Sequence, residues 1–225
     1  MKKIWSLLLI SLTTFTVMAQ KEKWDDYKED WSPLMLAIYN GQLEKIDILL
    51  AEKVDVNFST SGSNSNWQLT ALDVAIRKDN EIAVEKLLST HKIANPETYL
   101  MTASGQKSAK NVQLLIDYGA NPNQTLENGY AVAMKAASFG SYDILECLLK
   151  NGANIHQTRK VDGMTILMFA AFNGEPEKVK LLLDWGADKS VQDLNGKRAY
   201  DYVDQMYEHL NVSNTTKAEL KQLLQ

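Results

Sequence analysis

Few side chains in this sequence have the types and spacing that chemistry requires. His91, His156 and His209 are scattered, and none has a second ligand at helical spacing, so no zinc site is expected. Cys147 is the single cysteine and cannot form an internal disulfide. No histidine or cationic pair flanks it to activate a thiolate. It shares a slot with Ile48, Leu114 and Leu181 (Lys86 in one further copy), which reads as a small buried hydrophobe. Asp73 and Asp201 occupy equivalent slots of a recurring pattern and have the makings of an acid–base pair. They lie four copies apart, which separates them by tens of ångströms if each copy advances by about one helix diameter of ~10 Å. Their plain role is as helix-start carboxylates near backbone N–H groups. No Gly-rich phosphate loop and no Gly-x-Ser-x-Gly elbow is present. The expectation is a protein that is not an enzyme, with no catalytic residue, metal or cofactor. An enzyme reading rests on unexplained carboxylates alone.

The elements that carry these residues repeat. The pattern runs SPLM at 32–35, TALD at 70–73, TYLM at 98–101, AVAM at 131–134, TILM at 165–168 and RAYD at 198–201. The starts lie 38, 28, 33, 34 and 33 residues apart, and three of these intervals mark the period of a stacked helical repeat. Twenty-one residues after the first five starts stand Lys53, His91, Gly119, Gly152 and Gly186, the last three opening Gly-Ala pairs. In the fifth copy, Thr165 can cap a first helix, and Ile166, Leu167, Phe169, Ala170 and Ala171 make it mostly apolar. Asn173-Gly174 ends it, and Pro176 suits the first turn of a second helix. Val179, Leu181, Leu182 and Leu183 give that helix a buried face. One such pair cannot cover its own apolar flanks, so neighbouring pairs must stack.

These residues resemble the ankyrin repeat, with its T-P-L-H start, two alanines, glycine turn, apolar second helix and closing Gly-Ala-Asn/Asp. The resemblance covers residues 31–203 and is closest at 128–156 and 162–190. It implies an all-α fold, an ankyrin-type solenoid of stacked helix-turn-helix repeats with short hairpin-like connections. The family's histidine slot holds Met35, Asp73, Met101, Met134, Met168 and Asp201, so apolar Met packing is expected in place of the family's hydrogen-bond network.

The ends have their own composition. Lys2 and Lys3 precede an apolar run from Ile4 to Val17, and Val17-Met18-Ala19 is a small-x-small cleavage site. Residues 1–19 therefore read as a bacterial-type signal peptide cleaved near Ala19/Gln20, the alternative being an uncleaved anchor. The run is too short and polar for a membrane span. A periplasmic or secreted chain with no stable membrane insertion after cleavage is expected. Residues 20–31 form a charged lead-in, 32–210 the repeat domain, and 211–225 a capping helix. The chain carries 24 Lys and Arg against 28 Asp and Glu, and losing Lys2 and Lys3 makes it more acidic. That argues against nucleic acid, which needs a basic surface.

What remains is recognition. The resemblance implies a concave face made by hairpin tips and first helices. Its variable positions here are Tyr39 and Asn40, Arg77 and Lys78, Gln106, Ser138 and Phe139, Phe172 and Asn173, joined by Leu69, Tyr130 and Met164 just before the pattern starts. Several are large apolar residues at positions the repeat does not need to bury, and aromatics with nearby arginine anchor protein interfaces. Each could instead lean on its neighbour. The connections from helix stop to next start span 17, 7, 12, 13 and 12 residues. The long first one carries Trp67, as a gripping tip or a tolerated insertion. The short second one, HKIANPE, leaves no room for a hairpin and should open a notch. The expected function is an exported monomeric protein that binds a partner protein as scaffold or adaptor. The rival is a dedicated inhibitor or immunity protein that neutralises a secreted or periplasmic enzyme.

Overall fold

The computed structural model describes residues 30–60, 68–90, 92–205 and 212–225. The expected signal and most of the expected lead-in, Trp67, His91 and His209 lie outside the described residues. Six units follow in order: α1 (Pro33–Tyr39) with α2 (Leu43–Ala51), α3 (Ala71–Arg77) with α4 (Glu81–Ser89), α5 (Pro96–Ala103) with α6 (Ala109–Asp117), α7 (Val132–Phe139) with α8 (Tyr142–Lys150), α9 (Ile166–Phe172) with α10 (Pro176–Asp184), and α11 (Ala199–Tyr202) with α12 (Asn214–Leu224). Among the described residues no strand forms. First helices pack in sequence, α1 on α3, then α5, α7, α9 and α11, and the second helices from α4 to α12 form a parallel layer. The fold is an all-α solenoid.

Local chemistry explains the element ends. Ser32, Thr70 and Thr165 each accept a hydrogen bond from the backbone N–H three residues on. Thr98 does not start its helix. Pro96 begins α5, Asn95 takes φ +49°, and the Thr98 hydroxyl donates back to the Asn95 carbonyl at 2.9 Å. The stop of α10 is Gly186 at φ +90°, and Lys53 holds the same left-handed slot at +58° in the first unit.

The methionines correct the expectation of purely apolar packing. The Met134 sulfur accepts the Ala131 N–H at 3.4 Å, and the Met168 sulfur accepts the Thr165 N–H at 3.3 Å. Asp73 and Asp201 accept from Thr70 and Arg198 in the same way at 3.0 and 2.7 Å. At these four positions the slot supplies an acceptor to the first free N–H of its helix, by thioether or carboxylate, whereas in the third unit the Thr98 N–H goes to the Asn95 carbonyl.

The core runs unbroken through the stack. In α10, Val179, Leu181 and Leu182 are buried, while Leu183 is only half-buried. Cross-unit ties reinforce it. The Asn57 amide donates to the Lys92 carbonyl at 2.7 Å, and Asn123 does the same to Gly152 at 2.9 Å. Lys178 is also buried, its ammonium 3.4 Å from the Ala137 carbonyl of the preceding unit.

Units 3 and 4 approach closely at Gly140. A methyl there would sit 2.4 Å from the Ser104 carbonyl oxygen, although φ of −73° suits any residue. Gly140→Ala is therefore expected to cost about 1–3 kcal/mol through overpacking. Urea denaturation measures this, and an unchanged midpoint would mean that the two backbones are free to part.

Three connections close as short hairpin fingers. Thr125 bridges Ala131, Thr158 bridges Thr165, and the Asp193 N–H donates to the Lys197 carbonyl at 2.9 Å. Successive fingers are joined, Lys160 N–H to the Asn128 carbonyl at 3.0 Å and Leu194 N–H to the Asp162 carbonyl at 2.8 Å. Residues 92–95 between units 2 and 3 form no such finger.

Candidate partner-binding face

The expected contact residues do not all reach solvent. Phe139 is 45% exposed, at the end of α7. Asn40 and Lys78 are also exposed, while Tyr39, Leu69, Arg77, Gln106, Phe172 and Asn173 are half-buried. Tyr130, Met164 and Ser138, expected on the surface, are buried at 3%, 7% and 7% exposure. Ser138 turns its hydroxyl back to the Met134 carbonyl of its own helix at 3.0 Å, Met164 is touched by Arg159 of its own finger, and Tyr130 is covered by the next unit. The Tyr130 ring packs edge-on against Phe169 with centroids 5.4 Å apart, and Arg159 lies 4.9 Å over the other ring. Arg159 is held there by a two-pronged contact with Asp162, and its guanidinium reaches the Met164 sulfur at 3.5 Å. Burial pushes the Tyr130 phenol up, so it stays protonated.

Aromatic rings and cations recur along the face carried by the first helices and the fingers. Lys78 stands 4.4 Å over the Tyr39 ring, itself edge-on to Trp31 at 5.4 Å. Phe172 packs edge-on to Tyr202 at 6.0 Å, and Lys197 lies 5.7 Å from the Tyr202 ring. Asp193 organises the last finger. It accepts from the Tyr202 hydroxyl at 2.6 Å and from the Lys197 and Asn195 N–H groups at 2.8 and 2.9 Å. Burial works to raise its carboxyl, but these bonds hold it below the usual range. Sequence does not single out Arg159, Lys197 and Tyr202, and gives Phe169 only as an apolar residue of its helix. The signal was present: Phe169 and Tyr202 share the slot four residues after the pattern start, and Lys197 directly precedes one.

Polar groups elsewhere are structural. Asp73 accepts from the Thr70 hydroxyl at 2.9 Å, so the Tyr99 hydroxyl, 3.2 Å from that oxygen, is the donor to it. Asp73 and Asp201 thus each serve their own helix start. Burial raises the Asp73 carboxyl, its bonds to Thr70 and the charge of Arg77 opposing this only in part. A carboxyl raised on folding weakens the fold as pH climbs through its folded value. Asp73→Asn, which keeps an acceptor, is therefore expected to gain stability relative to wild type at pH 7 compared with pH 3.5. Thermal melts at both values check this, and a gain confined to acid would reverse the sign. The Cys147 thiol is half-buried, 3.4 Å from the Gln113 amide oxygen, and burial pushes its pKa up, away from thiolate reactivity. Among the described residues no three His, Cys, Asp or Glu side chains gather where they could hold a metal, and no helix is long and apolar enough to cross a membrane.

Comparison with known proteins agrees with this architecture. The family model for ankyrin repeats in three copies matches residues 8–99 and 99–193. An ankyrin repeat protein of Acanthamoeba polyphaga mimivirus is 26% identical over 178 residues, 76% of this chain and 23% of its own length. Ankyrin repeat and SAM domain-containing protein 6 of Mus musculus is 30% identical over 180 residues, 77% of this chain and 20% of its own length. Transient receptor potential cation channel subfamily A member 1 of Homo sapiens is 25% identical over 194 residues, 80% of this chain and 17% of its own length. The chain thus spans about a fifth of these relatives. The stacked helix pairs, the closing glycines and these matches together place the chain in the ankyrin repeat family.

Proposed function

We propose that this chain is an exported, monomeric binding protein that holds a partner protein on the face of its first helices and fingers, as scaffold or adaptor and without catalysis. Ankyrin repeats generally mediate protein–protein interaction. The observation that carries the reading is Phe139, a phenylalanine 45% exposed at the end of a mostly buried helix. It shares its face with the half-buried Phe172 and the Tyr39–Lys78 stack. Large aromatics kept at a surface beside cations are the usual anchors of an interface. Export rests on the composition of residues 1–19.

The experiment is purification of the processed chain from its native cell, with sequencing of its N-terminus and identification of what co-elutes. A protein partner at fixed stoichiometry and an N-terminus near Gln20 are expected. A chain that always elutes alone would overturn the binding role, and an intact Met1 in the native protein would overturn export by cleavage.

A further inference from the structure

Resting on the reading that the chain binds protein, we propose that the notch between the second and third units, bordered by the finger before the fourth, is a second docking point, where an extended segment of the partner stands in for a missing finger. Two successive fingers obey one rule. The residue after the finger's own closing donor turns its N–H to the preceding finger: Lys160 to the Asn128 carbonyl and Leu194 to the Asp162 carbonyl. The fit is tight, since a methyl on Gly129 would sit 2.6 Å from the Lys160 nitrogen, and one on Gly163 3.1 Å from the Leu194 nitrogen.

In the finger before α7, Leu126 N–H closes onto the Tyr130 carbonyl at 3.0 Å, as Arg159 N–H does onto Met164 at 2.9 Å. Glu127 is therefore the counterpart of Lys160 and Leu194. The finger its N–H would meet is absent, because Asn95 at φ +49° turns the chain directly into Pro96 and α5. Among the described residues the Glu127 N–H has no backbone acceptor.

Neighbouring extended chains pair about 4.8 Å apart, so the backbone edge at Glu127 can take a single extended segment. An unpaired strand edge is a template for another chain. Leu126, 46% exposed, and the exposed Glu127 carboxylate define the occupant's chemistry: an extended protein segment with an apolar residue next to a basic one. The chain's own next finger has this character, with exposed Lys160 and Val161 beside Asn128.

The probe is a cyclised peptide copying residues 157–165, titrated into the full chain while backbone amide signals are followed. Saturable shifts centred on Glu127, with slowed exchange of its amide proton, are expected. Glu127→Pro, which deletes the donor, should weaken the peptide about tenfold. A chain with residues 157–163 grafted between Ala94 and Asn95 should fold and lose the site. Phe139→Ala should leave it intact, which separates failure of the notch from failure of the face proposed above. Absent shifts at millimolar peptide, or unchanged binding to both notch variants, would overturn the proposal.

Discussion

Replacing Leu182 with alanine is expected to lower the unfolding free energy by about 2–5 kcal/mol. Leu182 is fully buried in α10, which is packed against α9 in its own unit and between α8 and α12 in the second-helix layer. Neighbours on three sides belong to separate helices, so no single side chain can relax into the space. The loss combines the transfer term for the removed methyl and methylene groups with a cavity term. Trp185 provides the contrast. It caps the same helix, is larger, and is 44% exposed, so Trp185→Ala should change stability far less. Urea titration followed by circular dichroism separates the two. In a stack whose stability is a sum over units and interfaces, a hole in the fifth unit strikes its contacts with both neighbours. A loss for Leu182→Ala no larger than that for Trp185→Ala would mean that the apolar register of the second helices is off.

That register was legible because it is local. A cap at Thr165, a stop at Gly174, a proline at Pro176 and a closing glycine at Gly186 each act within a few residues of themselves. The same signals recur at a fixed period, so errors in one copy are corrected by the others. In the third copy the signal is Pro96, two residues before the tetrapeptide at Thr98, which turns Asn95 out of helical geometry and sets the helix start. The functional face was less legible because exposure there is decided between units. Tyr130 precedes its helix in a position that looks free, yet Phe169 of the next unit covers it, and Arg159, held by Asp162, covers Phe169 in turn. No window of sequence around Tyr130 contains either residue. Met134 and Met168 show a second limit. Hydropathy ranks them as apolar filling, whereas their sulfurs also accept a backbone N–H at the helix start.

The same between-unit logic sharpens the expected result at the binding face. Phe139→Ala combined with Phe172→Ala should weaken partner binding by at least ~2 kcal/mol, roughly thirtyfold in Kd. The two residues will not behave alike in the free protein. Phe139 is 45% exposed at the last position of α7, so its truncation removes less buried surface than that of a core residue and should lower the melting temperature only slightly. Phe172 is half-buried and packs edge-on against Tyr202, whose hydroxyl is tied to Asp193, so its loss should loosen the last finger and lower the melting temperature modestly. An interface role therefore predicts a split: Phe139→Ala costs affinity with little stability, and Phe172→Ala costs some of each. Titration calorimetry against the co-purified partner, with melts of each single variant, resolves it. Because the sites flank one surface, the double variant need not equal the sum of the singles. Equal affinity of wild type and double variant would move the contact away from these helix ends. A Phe139→Ala variant that loses stability in step with affinity would show that the ring supports the fold rather than the partner.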